Sequence, residues 1–391
     1  MTDTRTFRTE FLPFSPPALG REEIDEVVDT LSSPWITTGP KTARFEREFA
    51  GYVGAPGGLG LNSCTAALHT ALVTRGVGPG DEVITTPITF AATVNVIEHV
   101  GARPVLVDVE PDTLNLDPRR VERAITPRTR AIIPVHFAGH PVDLDPILAL
   151  AEAHRLTVIE DAAHALPARY KGRMIGNGTH PVAFSFYATK NLTTAEGGML
   201  TGDPELLARA RVVGLHGMTG DAWKRYAKGG TWRYDVVLPG FKYNMTDIQA
   251  SIGIWQLRKL ASFHERRRVV AARYSAAFGA DDAFEIPADR PDVEHAWHLY
   301  VLRLRPDALT IDRDRFIEEL GRRQIGTSVH FIPIHTHPYY RDKYGWAADA
   351  FPIAHGNFLR MLSLPLHPRL SDEDVADVIE AVLDVARSHR R

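Results

Sequence analysis

Between about residues 57 and 201, short apolar runs alternate with amphipathic stretches, and Gly and Pro mark the joins. This is the rhythm of strands alternating with helices. Positions 62–75 begin with polar, cap-like residues and continue with Ala66, Leu68, Ala71 and Leu72 at helical spacing, which predicts a helix. Further helices are expected at 91–99, 117–125 and 143–154. Strands are expected at 82–85, 104–107, 131–135, 156–159, 183–186 and 199–201. These strand runs are apolar throughout, the pattern of strands buried on both faces. The expected class is therefore α/β, with a mostly parallel central sheet under flanking helices. After about Ser251 the rhythm stops. A long helical stretch passes through Gln256, Leu260 and Arg268 to Phe278. A strand-like alternation at 298–304 and helices at 313–322 and 372–386 follow. This reads as a large α/β domain at 1–255 and a smaller C-terminal α+β domain at 256–391. The sequence contains no internal repeat and no low-complexity segment.

Composition narrows the function classes. The 391 residues are 44% hydrophobic and 24% charged, close to an average soluble protein. Lys and Arg total 45 against 48 Asp and Glu, a formal charge of -3. That balance gives nucleic acid and membrane surfaces nothing to hold. Cys64 is the single cysteine, so no internal disulfide forms, and a reducing cytoplasm is expected. Residues Met1 to Glu10 are polar and lack an apolar signal core. No run of about 18 apolar residues is present to span a membrane.

In open α/β sheets, ligands bind at the carboxyl ends of the strands, and the candidate residues follow strand runs. Asp161 ends Val158-Ile-Glu-Asp161, where a carboxylate can pair with a protonated ring nitrogen. Its plainer reading is a helix cap. Lys190 lies between Ser185 and the turn Glu196-Gly-Gly198. An amine nucleophile there needs its pKa brought down from about 10.4; the plainer reading is a surface lysine. Asn62-Ser-Cys-Thr-Ala66 opens a helix directly after the Gly-rich run 57–60, and a helix N-terminus with free N–H groups suits a phosphate. Phe90 offers a face to a planar ring, or else packs in the core. His164, three residues after Asp161, is expected one helical turn on, facing the same way. His330, His335 and His337 match none of the common zinc spacings and have no cysteine to join them, so no metal is expected.

Together these segments resemble the DegT/StrS-type sugar aminotransferases of fold type I, which use pyridoxal 5′-phosphate (PLP). The likeness covers almost the whole chain. It runs through Trp35-Ile-Thr-Thr-Gly39, Asn62-Ser-Cys-Thr-Ala-Ala67, Gly80-Asp-Glu-Val-Ile-Thr85, Pro134-Val-His-Phe-Ala-Gly139, Ile159-Glu-Asp-Ala-Ala-His164, 185–198, Tyr243-Asn-Met-Thr-Asp-Ile-Gln249 and His295-Ala-Trp-His298. Within the family, the type that makes UDP-4-amino-4-deoxy-L-arabinose is similar in Phe11-Leu-Pro-Phe14 and Trp35-Ile-Thr-Thr-Gly-Pro-Lys41.

The resemblance implies roles. Lys190 is the Schiff-base lysine and proton shuttle, and Asp161 binds the pyridinium nitrogen. Phe90 stacks on the ring where the arabinose type has Trp. Cys64, Thr65 and Ser185 hold the phosphate, with Cys64 standing where Ala or Ser is more usual. His164 stands where many members have Gln. Asn244 reaches the phosphate of the neighbouring subunit's cofactor, which implies a homodimer with shared sites. The segment Asn191-Leu-Thr-Thr-Ala-Glu-Gly-Gly198 resembles members that aminate C4 of the sugar. The expected reaction therefore moves an amino group from glutamate to C4 of a nucleotide-linked 4-keto sugar, through the PLP and pyridoxamine phosphate (PMP) forms. Arg233, His330 and His335 are candidates to meet the diphosphate. The rival readings are amination at C3 or of a keto-cyclitol, a dehydratase, and a catalytically silent regulator. The dehydratase type has His in place of the lysine, and the intact Asp161, Ser185 and Lys190 speak against silence.

Overall fold

The structure, a computed structural model, describes residues 8–219 and 233–391. The polar stretch expected at the N-terminus lies outside them as far as residue 7. The central sheet grows outward from β2 (Glu82–Thr85), which pairs in parallel with β3 (Arg103–Leu106) and β4 (Thr129–Ile132). β4 pairs with β5 (Thr157–Val158), and β6 (Glu160–Asp161) pairs with β9 (Val182–Ser185), both in parallel. β5 and β6 are halves of one run: the Ile159 amide donates to the Ile132 carbonyl (3.0 Å) and the Asp161 amide to that of Pro134 (2.9 Å). β10 (Gly198–Thr201) runs antiparallel to β9 and to the edge strand β1 (Gly58–Leu61). The strand order is thus β3-β2-β4-β5/β6-β9-β10-β1, with β10 alone reversed. This is the expected mostly parallel α/β architecture, and every residue of β2 is buried, as a strand covered on both faces must be.

Helices cover the sheet. α1 (Arg21–Ser32) and α2 (Pro40–Val53) pack on α8 (Asp247–Phe278). α3 (Cys64–Thr74) lies against α4 (Ala91–His99) and α7 (Pro204–Val213), and α5 (Pro118–Ala124) against α6 (Leu144–His154). A small sheet joins β7 (Arg169–Tyr170), β8 (Arg173–Met174) and β12 (Val293–Glu294). The C-terminal part holds the antiparallel sheet of β11 (Phe284–Glu285), β13 (Tyr300–Leu304) and β14 (Met361–Leu364). It also holds α9 (Arg313–Arg322), α10 (Pro338–Tyr344), α11 (Pro352–Phe358) and α12 (Asp372–Ser388). α8 starts from a capping box in which Thr246 and Gln249 bond each other's backbone N–H. Its Leu257 and Leu260 belong to the core under the parallel sheet, whereas Val270, Tyr274 and Phe278 belong to the C-terminal core. The expected division at 255/256 falls inside this continuous helix.

The differences from the sequence reading have local causes. The strand expected at 131–135 stops at Ile132, because Pro134 has no N–H for the ladder. The strand expected at 156–159 continues to Asp161. The Gly-rich run 57–60, for which no strand was expected, is mostly β1, whose glycines leave room for Met199, Met245 and the Glu46 backbone. α1, α2 and α7 were not anticipated. α2 begins with Pro40 at its first position and ends at Gly54, whose φ of 78° suits glycine.

One buried ion cluster fixes the centre of the sheet. Glu160 is 1% exposed. His136 Nε2 donates to its Oε2 (2.7 Å), and His180 Nε2 bonds its Oε1. His136 Nδ1 accepts from the Val142 amide at 3.1 Å, so the ring proton belongs on Nε2. Burial pushes the Glu160 carboxyl up, but the bonds from His136 and His180 more than offset it and hold the group at about 2. Burial pulls His180 down, and its bond to Glu160 outweighs that and raises it.

Removing Glu160 strands both imidazoles. Glu160→Ala is expected to cost about 3 kcal/mol, read as a lower thermal midpoint. The carboxylate, depressed from 4.5, contributes fully above that pH and loses its contribution as pH falls toward 2. His180, raised from 6.5, contributes fully below 6.5 and loses it as pH climbs through its raised value. The gap between wild type and variant should therefore be widest between about 4.5 and 6.5. A midpoint equal to wild type in that window rules out this role.

Candidate active site

The carboxyl ends of β2, β4, β6 and β9 open into one cavity of about 470 Å³. Chain alternation along β6 sends Asp161 into it, on the side opposite Glu160. Asp161 is 5% exposed. Its Oδ2 accepts from Thr93 Oγ1 (2.8 Å) and its Oδ1 from the Ala163 amide (3.1 Å), while Cys64 Sγ stands 4.0 Å from Oδ1. Burial raises this carboxyl; the bonds from Thr93 and Ala163 and the charge of Lys190 oppose the rise. Asp161 therefore bonds a turn and a neighbouring helix side chain, and caps no helix.

Lys190 enters from the loop that follows β9. Its amide donates to the Tyr187 carbonyl (2.9 Å), and the buried Asn191 ties the loop down. Asn191 Nδ2 donates to the carbonyls of Leu166 and Ala296, each at 2.8 Å, and its Oδ1 meets His298 Nδ1 at 3.2 Å. Burial lowers the Lys190 amine to about 8, with Cys64 and Asp161 opposing the fall. A fall toward neutrality favours the unprotonated form that an amine nucleophile needs.

Three imidazoles complete that side of the cavity. His164 and His298 have ring centroids 4.3 Å apart, and His164 stacks on Phe331 at 5.7 Å. Burial holds both well below the usual histidine range, and Lys190 adds to the effect. Burial brings His330 down to about 4, and its Nδ1 meets Ser363 Oγ at 2.9 Å. All three are neutral at physiological pH. His164 Nδ1 is buried without a partner. His164 reaches the cavity from a turn rather than from the helix expected after Asp161.

The opposite wall is apolar and phosphate-ready. Phe90, at the N-cap of α4, is 63% exposed, so its ring is not core packing. Ser63 caps α3, its Oγ accepting from the Ala66 amide at 3.0 Å. The N–H groups of Cys64 and Thr65, in the first turn, have no intrahelical acceptor. Their helix end and Ser185 line the same cavity. The residues present fit a phosphorylated, planar, aldehyde-bearing cofactor. The helix end suits the phosphate, Phe90 and the orphaned His164 Nδ1 suit the ring, Asp161 suits a ring N–H, and Lys190 suits the aldehyde.

Of the expected site residues, Cys64, Thr65, Phe90, Asp161, His164, Ser185 and Lys190 share this cavity. Asn244 does not. Its Nδ2 donates to Thr38 Oγ1 and its Oδ1 accepts from Lys242 Nζ, both at 2.6 Å, beside β1. Among the diphosphate candidates, His330 lines the cavity and Arg233 is exposed outside its lining. His335 is corrected: it is fully buried, its Nε2 bonding the Ala348 carbonyl (3.1 Å) and its ring packed on Phe351. Among the described residues no group of three or more His, Cys, Asp or Glu side chains is arranged to hold a metal ion. Sequence reasoning missed Thr93, Asn191, His298 and Phe331, whose importance lies in contacts across the fold. Among the described residues no helix is long and apolar enough to cross a membrane.

Comparison with known proteins follows the same lines. Residues 17–383 match the model of the DegT/DnrJ/EryC1/StrS aminotransferase family. The spore coat polysaccharide biosynthesis protein SpsC of Bacillus subtilis is 52% identical over 382 residues, 97% of this chain and 98% of SpsC. Spr1654 of Streptococcus pneumoniae, assigned as a sugar aminotransferase, has been solved in PMP and PLP forms. Its PMP form shares 40% identity with a TM-score of 0.90 over 96% of this chain and 99% of its own. PseC of Helicobacter pylori, an aminotransferase involved in the biosynthesis of pseudoaminic acid, shares 29% identity with a TM-score of 0.89, over 97% of this chain and all (100%) of its own.

The cavity depends on close approach at Gly198, where β10 passes the start of α3. A Cβ there would collide with the Ser63 backbone and sit 2.6 Å from the Cys64 nitrogen. Gly198→Ala must push the strand off the helix end, at a cost of roughly 1–3 kcal/mol. A lower thermal midpoint together with weaker retention of PLP on dialysis is expected. Wild-type values for both would mean the helix end is not held by this contact.

Proposed function

We propose, from the premise that the chain belongs to the DegT/DnrJ/EryC1/StrS aminotransferase family and is a PLP-dependent sugar aminotransferase, that it aminates C4 of a nucleotide-linked 4-keto sugar with glutamate as donor. The observation that carries this reading is the wall formed by the segment after Lys190. Glu196 and Gly197 line the cavity, and the segment from Asn191 to Gly198, to which they belong, resembles C4-acting members. The cavity is also roomy and open enough for a sugar beside the cofactor. The two-domain division at 255/256 is part of the same reading.

When bound, PLP supplies an aldehyde that takes up the amino group and a protonated ring that withdraws electrons. Each residue then has a defined task. Lys190 Nζ, its basicity lowered by burial, would hold the cofactor at its aldehyde and, once released from that bond by the incoming amine, is placed to move a proton at the reacting carbon. Asp161 keeps the proton on the ring nitrogen. Ser185 and the N–H groups of Cys64 and Thr65 hold the phosphate. Phe90 covers one ring face, and His164 lies beside the ring as a neutral partner. His330 is placed to meet the substrate. Asp161→Asn is expected to lose about 100-fold or more in turnover.

The reading includes a homodimer. Asn244 lies outside its own cavity, so its implied phosphate contact has to be made across an interface. Ile24, Val28 and Leu31 form an exposed stripe on α1, 54%, 54% and 59% accessible, and Val236 and Val237 are exposed as well. Apolar stripes of this kind suit a two-fold contact.

Two measurements test the reading. The PMP-loaded enzyme is offered 3-keto and 4-keto sugar nucleotides, and products are read by mass spectrometry. A 4-amino product is expected; conversion of the 3-keto sugars alone defeats the C4 assignment. In the second, inactive Lys190→Ala protein is mixed with Asn244→Ala protein. Exchange is expected to restore part of the activity, because one site of each heterodimer carries both lesions and the other neither. No recovery despite demonstrated exchange removes Asn244 from the shared site.

A further inference from the structure

Two threonines at the start of α4 take no part in the roles assigned so far, yet one of them touches the central carboxylate. Thr93 Oγ1 lies 2.8 Å from Asp161 Oδ2, and Thr89 Oγ1 lies 2.7 Å from Thr93 Oγ1. Both are buried, Thr89 at 2% and Thr93 at 1% exposure. A hydroxyl has one proton to donate, and an ionised carboxylate only accepts. The Thr93 proton must then go to Asp161, and Thr93 must accept the proton of Thr89. The direction is fixed along the whole chain: Thr89 to Thr93 to Asp161. Thr93 also sits in the first turn of a helix, so the backbone that carries its side chain is fixed.

We propose that the Thr89–Thr93 hydroxyl pair positions Asp161 for the cofactor ring, holding Oδ2 while Oδ1 is braced by the Ala163 amide. This inference rests on the reading of Asp161 as the partner of the ring nitrogen. Asp161 comes from the central strand and Thr93 from a helix on the cavity wall, so the bond also fixes the wall carrying Phe90 relative to the sheet. Burial works against the charged carboxylate, and a hydrogen bond to a charged group is the stronger kind. Thr93 acts through Asp161 and is a positioning residue.

Thr93→Val keeps the shape and removes the proton donor; Thr93→Ser keeps the donor. Loss of a hydrogen bond to a buried charge predicts that Thr93→Val weakens PLP binding to the apoenzyme and lowers kcat by about tenfold each. The KM for glutamate should stay within about twofold, and Thr93→Ser should recover most of both losses. Thr89→Val, which removes only the ordering partner, should move both quantities in the same direction by less. Added to Asp161→Asn, Thr93→Val should cost less than about twofold more, because its target is gone. Should Thr93→Val fail to fold, as read by its apoenzyme melt, Thr93→Ala is measured by the same criteria. Wild-type PLP affinity and kcat in the variant, or full additivity with Asp161→Asn, overturns the inference. If Asp161→Asn itself behaves as wild type, the reading of Asp161 fails instead. Loss in Asp161→Asn with none in Thr93→Val defeats the positioning role alone.

Discussion

Two adjacent carboxylates on the central strand, Glu160 and Asp161, face opposite sides of the sheet, and each is held by its own donors. Glu160 is locked from behind by His136 and His180. Asp161 is held from the front by Thr93 and Ala163. A buried charge is tolerated only with such partners. The strand cannot slip by one residue without exchanging the two faces. The place of the reactive cavity, the distance from Asp161 to Lys190 and the packing of the wall that carries Phe90 all follow from that register.

The cavity separates its charges with care. Lys190 and Asp161 are the ionisable pair of opposite sign that it buries, and the nearby imidazoles of His164, His298 and His330 are kept neutral by burial. Neutral rings can donate or accept hydrogen bonds without adding a second cation beside Lys190. The helix end of α3 contributes positive potential without any titratable group. A pocket built this way suits an anionic, planar cofactor and leaves an open side for a polar substrate.

Much of this was legible in the sequence, for physical reasons. Strands buried on both faces are near-continuous apolar runs, so β2, β9 and the antiparallel β10 stood out, and the residues at the strand ends followed from the topology. α4 and α9 were placed to the residue by helical periodicity. What stayed hidden depends on contacts distant in sequence. β1 is a Gly-rich strand paired with β10, and glycine carries little strand signal of its own. His164 comes from a turn, because the chain leaves β6 without forming a helix. His335 looked like a phosphate ligand by composition, and the packing of Phe351 around it makes it a core residue. Thr93 and Asn191 carry no signal of their own; their partners, Asp161 and His298, are 68 and 107 positions away.

In the proposed function, Lys190 is the amine that takes the cofactor, opposite Asp161 in this cavity. Reduction of the PLP-loaded protein with borohydride freezes the bond between cofactor and lysine, and proteolysis with mass spectrometry locates it. A pyridoxyl mass increment is expected on the peptide containing Lys190 and on no other. An increment on a different lysine, or a yellow protein that yields no modified peptide, would contradict that role.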